Sequence, residues 1–205
     1  MNKLSRWGVL MIMVGLSLLV AVPAAHAGDF ECRGTIGQVT IAGNLIVPDD
    51  ATCTLNGTYI QGAIVVKSRS TLHADGPWGA GIEATGGIQA QSPREIVVAG
   101  SRLGNSVSVT SGGAIIGDPG VAVDLRDTYI NGDVQVQSNI GSVSLQHNEI
   151  VGSVQASKNT GGVDISNNTI GNGLQCQDNN PAPTGGGNIA KQMQGQCMYF
   201  GTIVP

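Results

Sequence analysis

The chain has 205 residues, of which 31 are glycine, and its composition is 41% hydrophobic, 12% charged and 3% aromatic. The aliphatic content argues against a disordered chain, and the glycine content argues against a coiled coil or helical bundle. Glycine does not recur at every third position, which excludes a collagen-like chain. The composition therefore favours a β-rich fold with a core of aliphatic side chains.

The N-terminal segment has the features of a secretory signal peptide. Lys3 and Arg6 precede an apolar run over residues 7–22, and the small-residue segment Pro23-Ala24-Ala25-His26-Ala27 follows. We expect residues 1–27 to be removed, with cleavage after Ala27, and we favour this over an uncleaved membrane anchor because of the small residues at the site. No later apolar run is long enough to span a bilayer. The sequence thus predicts a secreted or periplasmic protein with no membrane span after cleavage.

Cleavage also changes the charge balance of the chain. It removes Lys3 and Arg6, so the mature chain keeps 8 basic residues against all 14 acidic ones, a formal charge of −6. Such a surface does not attract nucleic acid. We expect an N-terminal cap with the first strands over residues 28–52, β-helix coils over 53–176, and a C-terminal cap or tail over 177–205.

A repeat of twenty residues organises the middle of the chain. Gapless columns appear at this shift, for example Ile130-Ile150-Ile170 and Val134-Val154-Leu174. Apolar and polar residues alternate within each copy, which is strand periodicity, and Gly and Asn separate the strands. Three short strands per repeat predict a parallel β-helix of about six coils, with loops rich in Gly and Pro at 75–87 and 112–120.

One polar column of the repeat is expected inside the solenoid. Asn139, Asn159 and Asn179 fall in register at the twenty-residue shift, as do Asn148 and Asn168. Residues of one column stack directly on each other in a β-helix, and stacked amides hydrogen-bond along the axis. We therefore predict an internal amide ladder formed by Asn139, Asn159 and Asn179.

Four cysteines lie near the two ends of the repeat. Cys32 precedes Cys53 by 21 residues, and Cys176 precedes Cys197 by the same distance, close to one coil. An even number of cysteines in an exported chain indicates disulfides. We expect Cys32–Cys53 and Cys176–Cys197 to attach the terminal segments, and we favour this over a redox or metal site because no CxxC spacing or His cluster accompanies them.

The C-terminal part of the repeat carries a family resemblance. Residues 168–176, followed by 179–188 and by Gln196-Cys197, resemble the last coil and Cys-closed tail of small secreted bacterial right-handed β-helix proteins of the pectate-lyase-like superfold. The resemblance covers most of residues 35–197. It implies an all-β, right-handed solenoid, and it implies no activity, because most such proteins have none assigned and the superfold hosts unrelated functions.

Carboxylates of the central coils are the candidates for catalysis. Asp124 and Asp164 share an outward column two coils apart, roughly 10 Å, near the upper end of the separations that inverting glycosidases use. His147 shares a column with Asp127 and is a candidate general base. These residues support the alternative of a polysaccharide-degrading lyase or hydrolase. No metal-ligand spacing, phosphate loop or cofactor motif is present, so we expect neither metal nor cofactor.

A column of glutamines is the preferred binding site. Gln135, Gln155 and Gln175 form an outward column, and Gln89 occupies the same place in an earlier coil. Amides both donate and accept hydrogen bonds, which suits sugar hydroxyls, although a stabilising Gln ladder without a ligand is the alternative. We expect a non-enzymatic exported module that binds a polysaccharide or cell-surface protein. Self-association by stacking is a further alternative.

Overall fold

The computed structural model describes residues 28–76, 80–113 and 120–204, so the predicted signal peptide at 1–27 lies outside the described residues. In the described part the secondary structure is entirely β. In these described residues, twenty-six short strands follow one another around a parallel β-solenoid of about eight turns and about 20 residues per turn. This confirms the all-β solenoid class predicted from the repeat.

The strands form three parallel sheets, each receiving every third strand along the chain. Sheet I contains β1 (Phe30–Glu31), β4 (Leu45–Val47), β7 (Ile64–Val66), β10 (Ile88–Gln91), β13 (Val107–Thr110), β16 (Val134–Gln137), β19 (Val154–Ser157), β22 (Gly173–Gln177) and β25 (Gln192–Gly195). Sheet II contains β2 (Thr35–Ile36), β5 (Thr52–Leu55), β8 (Thr71–Ala74), β11 (Glu95–Ala99), β14 (Val121–Arg126), β17 (Ser142–Gln146), β20 (Val163–Ser166) and β23 (Thr184–Gly186). Sheet III contains β3 (Thr40–Ile41), β6 (Tyr59–Ile60), β9 (Glu83–Ala84), β12 (Arg102–Leu103), β15 (Tyr129–Ile130), β18 (Glu149–Ile150), β21 (Thr169–Ile170), β24 (Asn188–Ala190) and β26 (Gly201–Ile203).

The number of turns corrects the prediction of about six. Strands of all three sheets already form before residue 53, and β24 to β26 continue the stack after residue 176. These turns were not counted because they lie in the segments interpreted as the N-terminal cap with the first strands and as the C-terminal cap or tail. The predicted loop at 75–87 is also shorter than expected, since Glu83–Ala84 forms β9 of sheet III. Residues 77–79 of this loop, and 114–119 of the other, lie outside the described residues.

Inward columns of aliphatic residues form the core. In sheet I, for example, Ile88, Val107, Val134 and Val154 are aligned and fully buried. Each buried aliphatic side chain contributes about 1.5–3 kcal/mol through the hydrophobic effect. Because side chains alternate across a strand, the residues between these positions face solvent. The core therefore fixes which residues form the three outer surfaces.

Two corners of the solenoid are held by buried amide ladders. Asn ladder 1 consists of Asn139, Asn159 and Asn179, with amide-to-amide distances of 2.8 Å at both steps, and Gln196 ends it. This confirms the predicted ladder. Asn ladder 2, at the next corner, consists of Asn148, Asn168 and Asn188, with distances of 3.0 Å.

The residue before each ladder position has a left-handed backbone. Ser138, Lys158 and Asp178 precede ladder 1 with φ between 54° and 55°, and His147 and Asn167 precede two members of ladder 2 with φ of 54° and 58°. A single left-handed residue turns the chain sharply enough to start the next strand. The buried Asn then bonds the backbone that the turn leaves unpaired, as Asn159 Nδ2 does at Val136 O, 3.0 Å away. The same corner conformation therefore recurs in the turns that contribute an Asn to a ladder.

Both predicted disulfides are present. Cys32–Cys53 and Cys176–Cys197 have Cα–Cα distances of 5.5 Å and 5.3 Å, and all four cysteines are buried. Each closes a loop of 21 residues near one end of the solenoid, which stabilises it by roughly 3 kcal/mol in the chain-entropy treatment. Disulfides form in oxidising compartments, so they indicate an extracellular or periplasmic environment.

Candidate functional site

The predicted glutamine column lies on the outer surface of sheet I. Strand pairing aligns Gln135, Gln155 and Gln175 directly, and Gln194 of β25 extends the column. Gln89 lies in the same column with Ser108 between it and Gln135. We call this surface, with the column Gln89, Gln135, Gln155, Gln175 and Gln194, the Gln face.

The Gln face is exposed and neutral over most of its length. All five glutamines of the column are exposed, and Gln91, Gln137 and Gln177 add exposed amides two residues further along the strands. Among the described residues, no side-chain hydrogen bond joins Gln135 to Gln155 or Gln155 to Gln175, unlike the members of the Asn ladders. Neighbouring strands lie about 4.8 Å apart, so Gln135, Gln155 and Gln175 present one such amide per turn at that spacing.

Two shallow depressions lie on the Gln face. One, of about 160 Å³, is lined by Gln155, Gln175, Gln192 and Gln194. The other, of about 490 Å³, includes Gln89, Gln91 and Lys67. Both are open to solvent along the sheet, which suits an extended ligand rather than an enclosed small molecule.

The outer surface of sheet II carries paired charges. Arg126 contacts the carboxylate of Asp124 and lies 3.5 Å from Asp75. His73 Nε2 lies 3.3 Å from Glu95 Oε2 on the neighbouring strands. Burial raises the pKa of Asp124 above its ordinary value; Asp75 and Glu95 also raise it, and Arg126 opposes them. This surface therefore places acidic side chains in contact with Arg126 and His73.

The two carboxylates considered for catalysis are both on sheet II. Strand pairing places Asp124 opposite Ser144 and Ser144 opposite Asp164, so the predicted column is present. Asp164 accepts hydrogen bonds from Gln146 Nε2 and Ser166 Oγ, both at 2.7 Å, while Asp124 pairs with Arg126. Each carboxylate is thus oriented by neighbours on its own sheet. Within the described residues, no group of three His, Cys, Asp or Glu side chains is arranged to hold a metal ion.

His147, the third catalytic candidate, lies on another surface. It occupies the corner between sheets II and III, where Asp127 takes the same place one turn earlier, with φ of 51°. Both side chains line a groove of about 780 Å³ beside sheet III. The structure therefore separates His147 from the Asp124–Asp164 column and places it beside Glu149.

Sequence reasoning missed most of this groove. Strand pairing aligns Tyr59, Glu83, Arg102, Tyr129 and Glu149 in one outward column of sheet III. The repeat in the sequence aligned the segments around Tyr59, Tyr129 and Glu149, but it left Glu83 in a segment interpreted as a loop. The recurrence of Thr-Tyr-Ile at 58–60 and 128–130 was the available signal for a shared tyrosine column.

The comparisons with known proteins found no match for this chain. No protein-family description, curated protein or solved structure matches the chain. The residues that the structure describes contain no helix long and apolar enough to cross a membrane. The three outer surfaces of the solenoid, each with its own chemistry, are thus the basis for assigning a function.

Proposed function

We propose that this protein is an exported, non-enzymatic β-solenoid that binds an extended glycan through the Gln face. Two observations support export: the signal-peptide pattern over residues 1–27 and the two disulfides, which require an oxidising compartment. We also infer a right-handed winding, because crossovers between parallel strands are almost always right-handed.

The aligned, exposed glutamines carry the proposal of glycan binding. Each amide offers two donors and one acceptor oxygen, which matches the mixed donor and acceptor character of sugar hydroxyls. The face is nearly free of charge, so a neutral polymer binds without leaving desolvated charges unpaired. The parallel strands repeat these contacts along the axis, and a polymer of sugars repeats its hydroxyls in the same way.

The test is a change of the central amides to carboxylates. The triple variant Gln135→Glu, Gln155→Glu and Gln175→Glu removes three sets of donors and places like charges on adjacent strands, which repel each other. We expect pull-down on insoluble neutral polysaccharides and on purified cell-surface polysaccharide to fall by about tenfold or more, corresponding to roughly 1.4 kcal/mol.

A matched control adds the same charge elsewhere. Three exposed amides off sheet I serve this purpose: Gln38→Glu, Gln61→Glu and Asn131→Asp. The control is expected to bind like the wild type. The assignment of the binding site to the Gln face is contradicted if the Gln-face variant binds as well as the wild type. It is also contradicted if the control variant loses as much binding as the Gln-face variant. If the wild type releases products from any glycan of a panel, and Asp124→Ala or Asp164→Ala abolishes this release, the enzymatic alternative is favoured instead.

A further inference from the structure

The groove beside sheet III, which we call the sheet III groove, has a volume of about 780 Å³ and combines aromatic and acidic side chains. Its outer column runs Tyr59, Glu83, Arg102, Tyr129 and Glu149 on five successive strands. The two tyrosines are three strands apart, roughly 14 Å at the usual strand spacing. The groove therefore has an elongated binding surface with an aromatic ring towards each end.

Glycine residues leave part of one side of the groove without side chains. Gly57 and Gly100 occupy the left-handed corner position, with φ of 65° and 58°, and both line the groove. Further along the axis the same corner position is held by Asp127 and His147, whose exposed side chains also line it. The groove is thus open beside Tyr59 and Arg102 and gains polar side chains towards Glu149.

The charges of the groove are unbalanced. Glu83, Asp127 and Glu149 are exposed, and among the described residues none of them has an ion-pair partner within 4.0 Å. Among the described residues that line the groove, Arg102 is the one that carries a guanidinium, and its Cζ lies 4.1 Å from the centre of the Tyr129 ring. This cation–π contact holds Arg102 over the ring. The groove is therefore a net acidic surface that favours a cationic ligand.

The backbone of the groove excludes an added peptide strand. Strands β6, β9, β12, β15 and β18 are each paired on both sides within sheet III. Their main-chain donors and acceptors are used in the ladder, so no sheet edge is available for strand addition. A ligand here must bind through side-chain hydrogen bonds, charge and ring stacking. Saccharides bind in this way, with sugar faces against aromatic rings and polar groups around them.

We propose that the sheet III groove binds a glycan carrying free amino groups. Its ammonium groups pair with Glu83 and Glu149, and a sugar face stacks on Tyr59, while Arg102 covers the Tyr129 ring. Arg102 lies between the two glutamates, and it selects a hydroxyl or acetamido oxygen rather than a second amine at that position. This site goes beyond the neutral-glycan function of the Gln face and is independent of it.

The experiment is isothermal titration calorimetry of the full mature protein at about pH 6 with a hexamer of glucosamine. We expect Glu83→Gln and Glu149→Gln each to weaken binding about three- to fivefold, in keeping with exposed charge pairs. We expect the affinity to fall with added salt, because the ligand is held by charge. Tyr59→Ala is expected to weaken binding, while Tyr59→Phe retains it, because stacking requires the ring and not the hydroxyl.

Controls separate this site from general electrostatics and from the Gln face. Glu31→Gln removes the same charge from an exposed residue of sheet I and is expected to leave the affinity unchanged. The Gln-face triple variant is also expected to keep binding glucosamine hexamer. The proposal is overturned if the glucosamine hexamer does not bind, or if Glu83→Gln and Glu149→Gln leave its affinity unchanged. It is also overturned if the fully N-acetylated hexamer or a galacturonate hexamer binds equally strongly. Failure of neutral-polysaccharide binding alone overturns only the function of the Gln face.

Discussion

Removal of the central amide of Asn ladder 1 tests how the solenoid is held together. Asn159 is fully buried, and its side chain makes four hydrogen bonds. Its Oδ1 accepts from the main-chain N and the Nδ2 of Asn139, and its Nδ2 donates to Val136 O and to Asn179 Oδ1. Asn159→Ala removes all four at once.

The expected cost follows from which groups lose their partner. Asn179 Oδ1 still accepts from the main-chain N of Asn159, at 3.1 Å. The main-chain N and Nδ2 of Asn139, and the carbonyl of Val136, lose the bonds to the deleted amide. Each buried group left without a partner costs about 1–3 kcal/mol. We therefore expect Asn159→Ala to reduce the free energy of unfolding by about 3–5 kcal/mol.

The assay is equilibrium unfolding in urea, followed by circular dichroism with the disulfides intact. At a denaturant slope of about 2 kcal/mol/M, this cost lowers the midpoint by roughly 2 M. Gln196→Ala, at the exposed end of the same ladder, is expected to cost about 1 kcal/mol, because water replaces the lost bonds. Gln155→Ala, exposed on the same turn, is expected to change stability by no more than about 0.5 kcal/mol. An Asn159→Ala midpoint equal to that of Gln155→Ala refutes the role of the ladder.

Two further predictions concern packing at a corner and the charge of Asp124. A Cβ added at Gly171 would lie 2.2 Å from the carbonyl oxygen of Val151, whereas at Gly186 it meets no atom within 4 Å. Gly171→Ala is therefore expected to lower stability by about 1–3 kcal/mol, and Gly186→Ala not to lower it, in the same urea assay; equal effects contradict the close approach of the turns. The second prediction rests on the raised pKa of Asp124, which is caused mainly by burial. The folded protein then binds this proton more readily than the unfolded chain, so the stability contributed by Asp124 falls as the pH rises from about 3.8 through the folded pKa. In Asp124→Asn we expect this pH-dependent loss of stability to be absent. If the midpoints of the variant and the wild type differ by the same amount at every pH between about 3 and 7, the prediction is contradicted.

The fold was predictable because its cause repeats in the sequence. The column Val134-Val154-Leu174 and the column Asn139-Asn159-Asn179 each recur at twenty residues, and strand pairing aligns the first column as expected. Asn ladder 2 was only partly visible, since Asn188 lies in a segment interpreted as tail. The first and last turns were undercounted for the same reason. A repeat can be recognised in the sequence only where successive turns have the same number of residues. Strands can pair even when the turns between them differ in length.

The candidate sites were less predictable because outward positions carry no packing constraint. The Gln face was found because Gln135, Gln155 and Gln175 recur at the regular period. The sheet III groove was missed because its column mixes tyrosine, glutamate and arginine, and because Glu83 lies in a segment interpreted as a loop. Only the pairing of β9 with β6 and β12 brings Glu83 between Tyr59 and Arg102.

The three outer surfaces differ in how their polar groups are already satisfied, and this difference ranks them as binding sites. On sheet II, Asp124 and Asp164 are held by Arg126, Gln146 and Ser166, so a ligand must displace existing bonds before it gains its own. On the Gln face the amides face solvent, and a ligand replaces only water. In the sheet III groove the carboxylates have no ion-pair partner within 4.0 Å among the described residues, so an incoming ammonium gains an attraction without displacing an existing ion pair. The inward columns and Asn ladders hold the strands in register whichever residues face outward, and one solenoid can therefore carry a neutral and an acidic binding surface at once.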